Sequence, residues 1–224
     1  MKRKGLRFVV TAGPTREFLD PVRFLSNPST GKMGFAVAAE AARRGCETVL
    51  VAGPVSLKTP KGVRRVDIVS ARDMLKAVID ALGEGPTVVI STAAIADWRP
   101  ARCAAHKLKK RQMSGTLKLV RNPDILKTLH RLSSRPSSRI PNPQSLHLIG
   151  FAAETDDVLA EAARKCREKG LSFIVANDVL RKGCGFGTDT NKVTFVYPDG
   201  GMKAFPLMTK RRVAGRIVDE VLGL

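Results

Sequence analysis

The stretch "LSNPSTGKMGFA", Leu25 to Ala36, carries the residue types that hold phosphate: a Gly-Lys pair, small hydroxyl side chains and an alanine-rich continuation. A Walker loop reads GxxxxGK[ST], with glycine backbone around the phosphates and a hydroxyl on the magnesium ion. This segment departs from that pattern twice. Ser26 stands five before Gly31 where the first glycine belongs, and Met33 follows Lys32 where the hydroxyl belongs. The loop suits an anion but is not the common nucleotide loop, so the rest of the chain has to supply its partner chemistry.

Three other segments share this small-residue texture: "TAGPTRE", "STAAIAD" and "GFAAET". Each directly follows an apolar run that reads as a strand: Leu6–Thr11, Pro86–Thr92 and the run beginning at Leu146. In open α/β sheets, ligands bind beyond the carboxyl ends of the strands, where small residues let backbone amides come close. The elements that must position these loops alternate along the chain, as in a doubly wound sheet. A helix is expected from about Gly31 to Arg44 with Gly45 as its stop, then a strand Glu47–Ala52 and a short strand Val63–Val69. "SARD" at Ser70–Asp73 resembles a capping box opening a helix to about Leu82. A basic loop "HKLKKRQ" leads to a strand "TLKLV" and a helix near "NPDIL", with Asn122 expected as cap and Pro123 at the first helical position. The Ser/Pro/Arg-rich stretch 133–145 reads as a flexible connection. A helix 156–169, a strand "SFIVAND", a hairpin turning at "DG" and a last helix from about 209 to 222 complete the pattern. The fold class expected is a Rossmann-like, doubly wound, mostly parallel sheet with an appended β-hairpin arm near 191–207, all in one domain spanning 1–224.

Composition excludes several classes. No apolar run approaches the roughly 20 residues a membrane helix needs, and "MKRKGLRFVV" is too short in its apolar part for a signal peptide, so a cytoplasmic setting is expected. The four cysteines, Cys46, Cys103, Cys166 and Cys184, have neither metal-site nor disulfide-framework spacing. The 39 basic residues against 20 acidic ones give a net charge of +19, which attracts polyanions. Aromatic content of 5% and the lack of RNA-stacking motifs argue against nucleic acid, whereas nucleotides and phosphorylated metabolites remain. A nicotinamide dinucleotide is disfavoured: the first turn lacks GxGxxG, "VAGPVS" offers no acid for a ribose, and Gly201 stands four after the single tyrosine, Tyr197. There is no GxSxG elbow, and His106, His130 and His147 lie in unrelated settings.

The segments "TAGPTREFLDPVRFLSNPSTGKMGFA", "VAGPVSL", "AAIADWRP", "KLKK", "NPDIL", "GFAAET", "ANDV" and "GFGTDTNKV", in this order and almost end to end, resemble phosphopantothenoylcysteine synthetase, a ligase of coenzyme A biosynthesis usually fused in bacteria to a flavin-dependent decarboxylase. The resemblance implies a Rossmann-like homodimer joined through the arm-like hairpin, with the decarboxylase as a possible separate chain. It also implies a two-step reaction. The carboxylate of 4'-phosphopantothenate attacks the α-phosphate of CTP, with Mg2+, to give an acyl-cytidylate and pyrophosphate; the amine of cysteine then displaces CMP.

The same resemblance assigns candidate residues. Lys107, leading "KLKK", would neutralise the triphosphate, where positive charge helps most as negative charge gathers. Asn27 and Arg23 are linked to handling the acyl-nucleotide. Gly13, Ser91, Thr92, Ala93, Asp97, Pro123, Asp124, Ile125, Leu126, Phe151, Lys165 and Lys169 are expected around the nucleotide. Ser29, Thr30, Gly31, Lys32 and Gly34 form the phosphopantothenate loop, at a helix N-terminus that favours an anion; no metal ligand is assigned. Pro28, Thr30 and Trp98 depart from the family pattern, which bears on nucleotide preference. The alternative from another class is a non-catalytic basic Rossmann-like module binding nucleotide or nucleic acid.

Overall fold

In the strand Phe8–Ala12, alternate side chains point to opposite faces, and both faces are apolar. Phe8, Val10 and Ala12 enter one buried cluster and Val9 the other. A strand apolar on both sides belongs in the middle of a sheet covered by helices on each face, and that is where the computed structural model puts it. The structure describes residues 5–112, 115–134, 140, 142–154, 157–178 and 183–224.

In chain order, β1 (Arg7–Ala12) is followed by a ribbon of β2 (Arg16–Phe18) and β3 (Phe24–Ser26), then α1 (Lys32–Arg43), β4 (Glu47–Ala52), β5 (Arg64–Asp67) and α2 (Ala71–Ala81). Next come β6 (Thr87–Ser91), β7 (Trp98–Pro100), β8 (Leu119–Arg121), α3 (Ile125–Ser133) and β9 (Leu146–Glu154). α4 (Val158–Glu168), β10 (Phe173–Asp178), β11 (Thr190–Asn191), β12 (Val193–Val196), β13 (Met202–Ala204), β14 (Met208–Thr209) and α5 (Lys210–Gly223) close the chain.

The main sheet runs β13-β12-β10-β9-β6-β1-β4-β5. Its six strands from β10 to β5 are parallel, and β12 and β13 extend it antiparallel at one edge. Counted along the parallel strands, this is the doubly wound order 3-2-1-4-5-6, with its switch point between β1 and β6. The fold is Rossmann-like. One face is covered by α1 and α5, through Val37, Ala38, Ala41, Val213, Ile217 and Val218. The other is covered by α2, α3 and α4, through Met74, Val78, Ile125, Leu129, Ala162 and Cys166.

Most of the expected elements lie within one or two residues of their predicted limits. The capping box at Ser70 is present, with the Asp73 amide donating to the Ser70 hydroxyl and the Ser70 amide to Asp73. The cap of α3 is not Asn122. Asp124 caps it by accepting the Lys127 amide at 3.0 Å, while Asn122 turns away and donates Nδ2 to the Ala96 carbonyl at 2.8 Å. The hairpin at 191–207 continues the main sheet through β12, and β13 forms its exposed edge. The run "TLKLV" pairs only from Leu119, against β7. The start expected at 156 for α4, and residues 135–139 and 141 of the expected 133–145 connection, lie outside the described residues.

One contact draws α1 onto the switch point. A Cβ on Gly34 would lie 2.5 Å from the Ala12 Cβ, 2.5 Å from the Thr92 Oγ1 and 2.8 Å from the Thr11 carbonyl oxygen. Only hydrogen fits there. Gly34→Ala is expected to lower unfolding free energy by about 1–3 kcal/mol. Gly215→Ala, on α5 with nothing within 4 Å of the added carbon, is expected to leave stability unchanged or raise it by up to about 1 kcal/mol. Urea unfolding of both variants checks the opposite signs.

Candidate functional site

At the switch point the two central strands diverge, yet their loops stay joined. The Ala94 amide donates to the Gly13 carbonyl at 3.0 Å, and Pro14 bridges Ala94 in parallel register. The Thr92 hydroxyl donates to the Thr11 carbonyl at 2.7 Å, the Ala93 amide donates to the Thr11 hydroxyl at 3.2 Å and the Ala96 amide donates to the Thr15 hydroxyl at 3.0 Å. Gly13 adopts φ +77°, and a Cβ on Gly31 would lie 3.4 Å from its amide nitrogen. The loop ending at Gly31 thus lies directly against the β1 turn. Asn27 is held at the same place, its Nδ2 donating to the Ala94 carbonyl at 3.1 Å.

Two clefts open on either side of this seam, and both are lined by Ala93 and Phe151. The first is bounded by Ser29 to Gly34, Thr92, Ala94 and the loop at Gly185 and Phe186, with Asn177, Asn191 and Lys210 deeper in it. α1 begins here at Gly31, which has φ +78° and gives no side-chain cap. Its first amides and positive dipole end are therefore available to an anion. Lys32 and Lys210 add charge. Lys32 Nζ is 2.7 Å from Asp189 Oδ1 and donates to the Gly187 carbonyl at 2.9 Å. Lys210 is only 7% exposed, donates to the Gly185 and Thr188 carbonyls, and its ammonium titrates below the usual lysine range because burial and then the Lys32 charge disfavour it. Among the described residues, Asn177 Oδ1 is buried with no hydrogen-bond partner. Such an acceptor costs about 1–3 kcal/mol unless something donates to it.

The second cleft is polar. Ser91, Ile95, Ala96 and Asp97 line one wall, and Asn122 to Leu126 with Lys169 line the other. On that second wall, Lys169 Nζ lies 2.9 Å from Asp124 Oδ2. The N-terminal turn of α3 faces this space, as does the exposed carboxylate of Asp97.

Most of the residues expected from sequence are therefore brought to one seam, but divided between two sides. Ser91, Ala93, Asp97, Pro123, Asp124, Ile125, Leu126, Phe151 and Lys169 surround the second cleft. Thr92 lines the first cleft instead, because consecutive residues leaving β6 point to opposite faces. Lys165, one turn before Lys169 on α4, lines neither cleft. Lys107 also lines neither, and sits exposed on the basic segment beside the ribbon. Arg23 ion-pairs with Asp20 and donates to the Leu108 carbonyl at 3.0 Å. The buried polar residues lining the first cleft to which sequence reasoning gives no role are Asn177, Asn191 and Lys210. Their signal lies only in placement, since "ANDV" and "GFGTDTNKV" are recognisable segments whose side-chain directions depend on the sheet. Among the described residues, no group of three or more His, Cys, Asp or Glu side chains could hold a metal ion, and no helix is long and apolar enough to cross a membrane.

The chain's relatives identify its family. Residues 3–224 match the model of the DNA/pantothenate metabolism flavoprotein C-terminal domain. The coenzyme A biosynthesis bifunctional protein CoaBC of Bacillus subtilis (strain 168) is 44% identical over 222 residues, which are 99% of this chain and 52% of the relative. The chain thus spans about half the length of the curated relatives it matches. Among solved structures, the C-terminal domain of a CoaBC protein superposes with a TM-score of 0.76 at 41% identity, covering 97% of this chain and 94% of the other. A Cab2 mutant solved in complex with phosphopantothenate-cysteine gives 0.73 at 16% identity, covering 98% and 87%, which shows a shared fold. With the family model matched over residues 3–224 and a relative 44% identical across 99% of this chain, the chain belongs to the DNA/pantothenate metabolism flavoprotein C-terminal domain family.

Proposed function

We propose that the chain joins 4'-phosphopantothenate to cysteine in coenzyme A biosynthesis, using CTP and passing through an acyl-cytidylate. The observation that carries this reading is the shared wall of the two clefts. Ala93 and Phe151 belong to both, so a ligand in each brings their ends together at one point. A phosphorylated acid fits the side with the uncapped α1 terminus, Lys32 and Lys210. A nucleotide fits the polar side, with Asp97 to accept from base or ribose and the α3 terminus to meet polar edges. The Cab2 mutant, a protein of the same fold, is in complex with phosphopantothenate-cysteine, the product this reaction would form.

In this reading the carboxylate oxygen attacks the α-phosphorus of CTP and pyrophosphate leaves. No group of three or more His, Cys, Asp or Glu side chains among the described residues would hold a Mg2+ ion, which would instead ride on the triphosphate oxygens and offset their charge. Two anions must meet, and holding them in line at the seam removes much of the entropic barrier. Lys107 extends toward the triphosphate from its exposed segment and offsets its charge. Asn27, tethered to the Ala94 carbonyl, stands where a neutral amide can orient the acyl group without competing as a nucleophile. The cysteine amine then attacks the acyl carbon, and CMP leaves with the oxygen that had belonged to the carboxylate. Cytosine selectivity rests on the family resemblance. A homodimer through the 191–207 hairpin and docking with a decarboxylase chain belong to the same proposal.

Incubation with 4'-phosphopantothenate, Mg2+ and CTP or ATP in parallel tests the reaction. Pyrophosphate release with CTP, and amide only after cysteine is added, is expected. Turnover with ATP alone overturns the base assignment, and no turnover with either overturns the ligase reading. Lys107→Gln is expected to lower kcat/KM for CTP by roughly 10²-fold, the scale of removing one preorganised charge from a transition state. Asn27→Ala is expected to retain a single-turnover burst of pyrophosphate while amide formation slows by at least about tenfold, the scale of a lost orienting contact. Rapid-quench measurement of both products separates the two steps.

A further inference from the structure

The ribbon between β1 and α1 turns at Leu19–Arg23, and the turn is built on one buried carboxylate. Asp20 has no exposed side-chain surface. Its Oδ1 accepts the amides of Val22 and Arg23, each at 2.9 Å, which is the local turn-forming role an Asp before Pro21 commonly plays. Its Oδ2 does something a turn does not require. It accepts Arg23 Nε at 3.0 Å and the Leu108 amide at 3.1 Å, from a residue 88 positions later. Arg23 Nη2 then donates to the Leu108 carbonyl at 3.0 Å, so both backbone polar groups of Leu108 are held by this pair. A third tie lies close by, where the Ala104 amide donates to the Leu19 carbonyl at 2.8 Å.

What is tied is the basic segment. Ala105, His106 and Lys107 are exposed between these anchors, and Leu108 is the residue immediately after Lys107. On the other side, the turn feeds straight into β3 and Asn27, whose loop is fixed to Thr15 and Ala94. We infer that Asp20 is a positioning residue whose carboxylate fixes the Lys107 segment against the loop that carries Arg23 and Asn27. This rests on the proposed ligase reading for its functional consequence, but the tie itself does not. The Arg23 guanidinium, against the opposing effect of burial, holds the Asp20 carboxyl well below the usual carboxylate range. The clamp therefore stays ionised throughout the neutral range. Lys107 lines neither cleft directly, and a fixed neighbour at Leu108 limits how far its ammonium can stray from the seam. A misplacement of about 1 Å in a positioning contact can cost up to 10²-fold in rate.

The test uses the whole chain and two independent readouts. Hydrogen exchange of the Leu108 amide in the unmodified protein is expected to be slowed, although its segment is exposed. In Asp20→Asn this protection is expected to fall by at least about tenfold, as a local opening within a folded protein. Tryptic cleavage between 102 and 111 is expected to accelerate in parallel, with the thermal midpoint measured alongside. For ligation, KM for CTP is expected to rise about tenfold in Asp20→Asn, as for a displaced charge, and Asp20→Glu is expected to recover part of it. Unchanged Leu108 protection and unchanged cleavage in a folded Asp20→Asn variant would overturn the clamp. Rapid exchange at Leu108 in the unmodified protein would overturn it even where the variant does not fold. Lost protection with an unaltered KM for CTP would overturn the positioning role. Because exchange and cleavage need no substrate, a failure of the ligase reading shows separately, as no turnover in the unmodified protein.

Discussion

β1 and β6 lie side by side, but their connections leave in opposite directions, and hydrogen bonding continues between them past the last paired residues. The amide of Ala94 reaches the Gly13 carbonyl, and the Thr92 and Thr11 hydroxyls cross-link the two chains just before they separate. Everything at the site is measured from this seam. It brings α1 in until only Gly34 fits, seats Gly31 on the Gly13 turn and gives Asn27 a carbonyl to hold. Because the seam is narrow and made of small residues, it leaves a cleft on each side with a wall in common.

Charge is distributed accordingly. The α1 side collects Lys32, Lys210 and a helix start with no acidic residue in its first turn, with Asp189 keeping Lys32 in place. The α3 side holds the Asp124–Lys169 ion pair on one wall and Asp97 on the other. On the proposed reading, the first side takes the phosphorylated acid and the second the nucleotide. Burial of Lys210 is costly for an ammonium, and its carbonyl partners from the Gly185–Thr188 loop offset that cost while shaping the first cleft.

Much of this was legible in the residues. Apolar runs on both faces of β1, β4 and β6 identify central parallel strands, and Gly45 with the Ser70 box marks helix ends by local chemistry alone. The small-residue loops after β1, β6 and β9 point to one ligand edge, because topology forces carboxyl ends of parallel strands to the same side. What was not legible depended on contacts distant in sequence. Asn122 looks like a helix cap, but the Ala96 carbonyl, 26 residues earlier, claims its amide and leaves the cap to Asp124. Asp20 looks like a turn residue until Leu108 arrives beside it. The division of Ser91 and Thr92 between two clefts follows from strand pleating at the last turn of β6, which no motif records. The +19 charge remains legible only as an attraction to anions.

The central claim is that a carboxylate in one cleft meets the α-phosphate of a nucleotide in the other. The most direct measurement uses 4'-phosphopantothenate labelled with 18O in its carboxylate, with CTP, Mg2+ and cysteine, and mass analysis of the phosphorus products. An acyl-cytidylate requires one labelled oxygen in CMP and none in pyrophosphate. Label in inorganic phosphate, accompanied by CDP, would mean attack at the γ-phosphorus through an acyl phosphate, and would contradict the account.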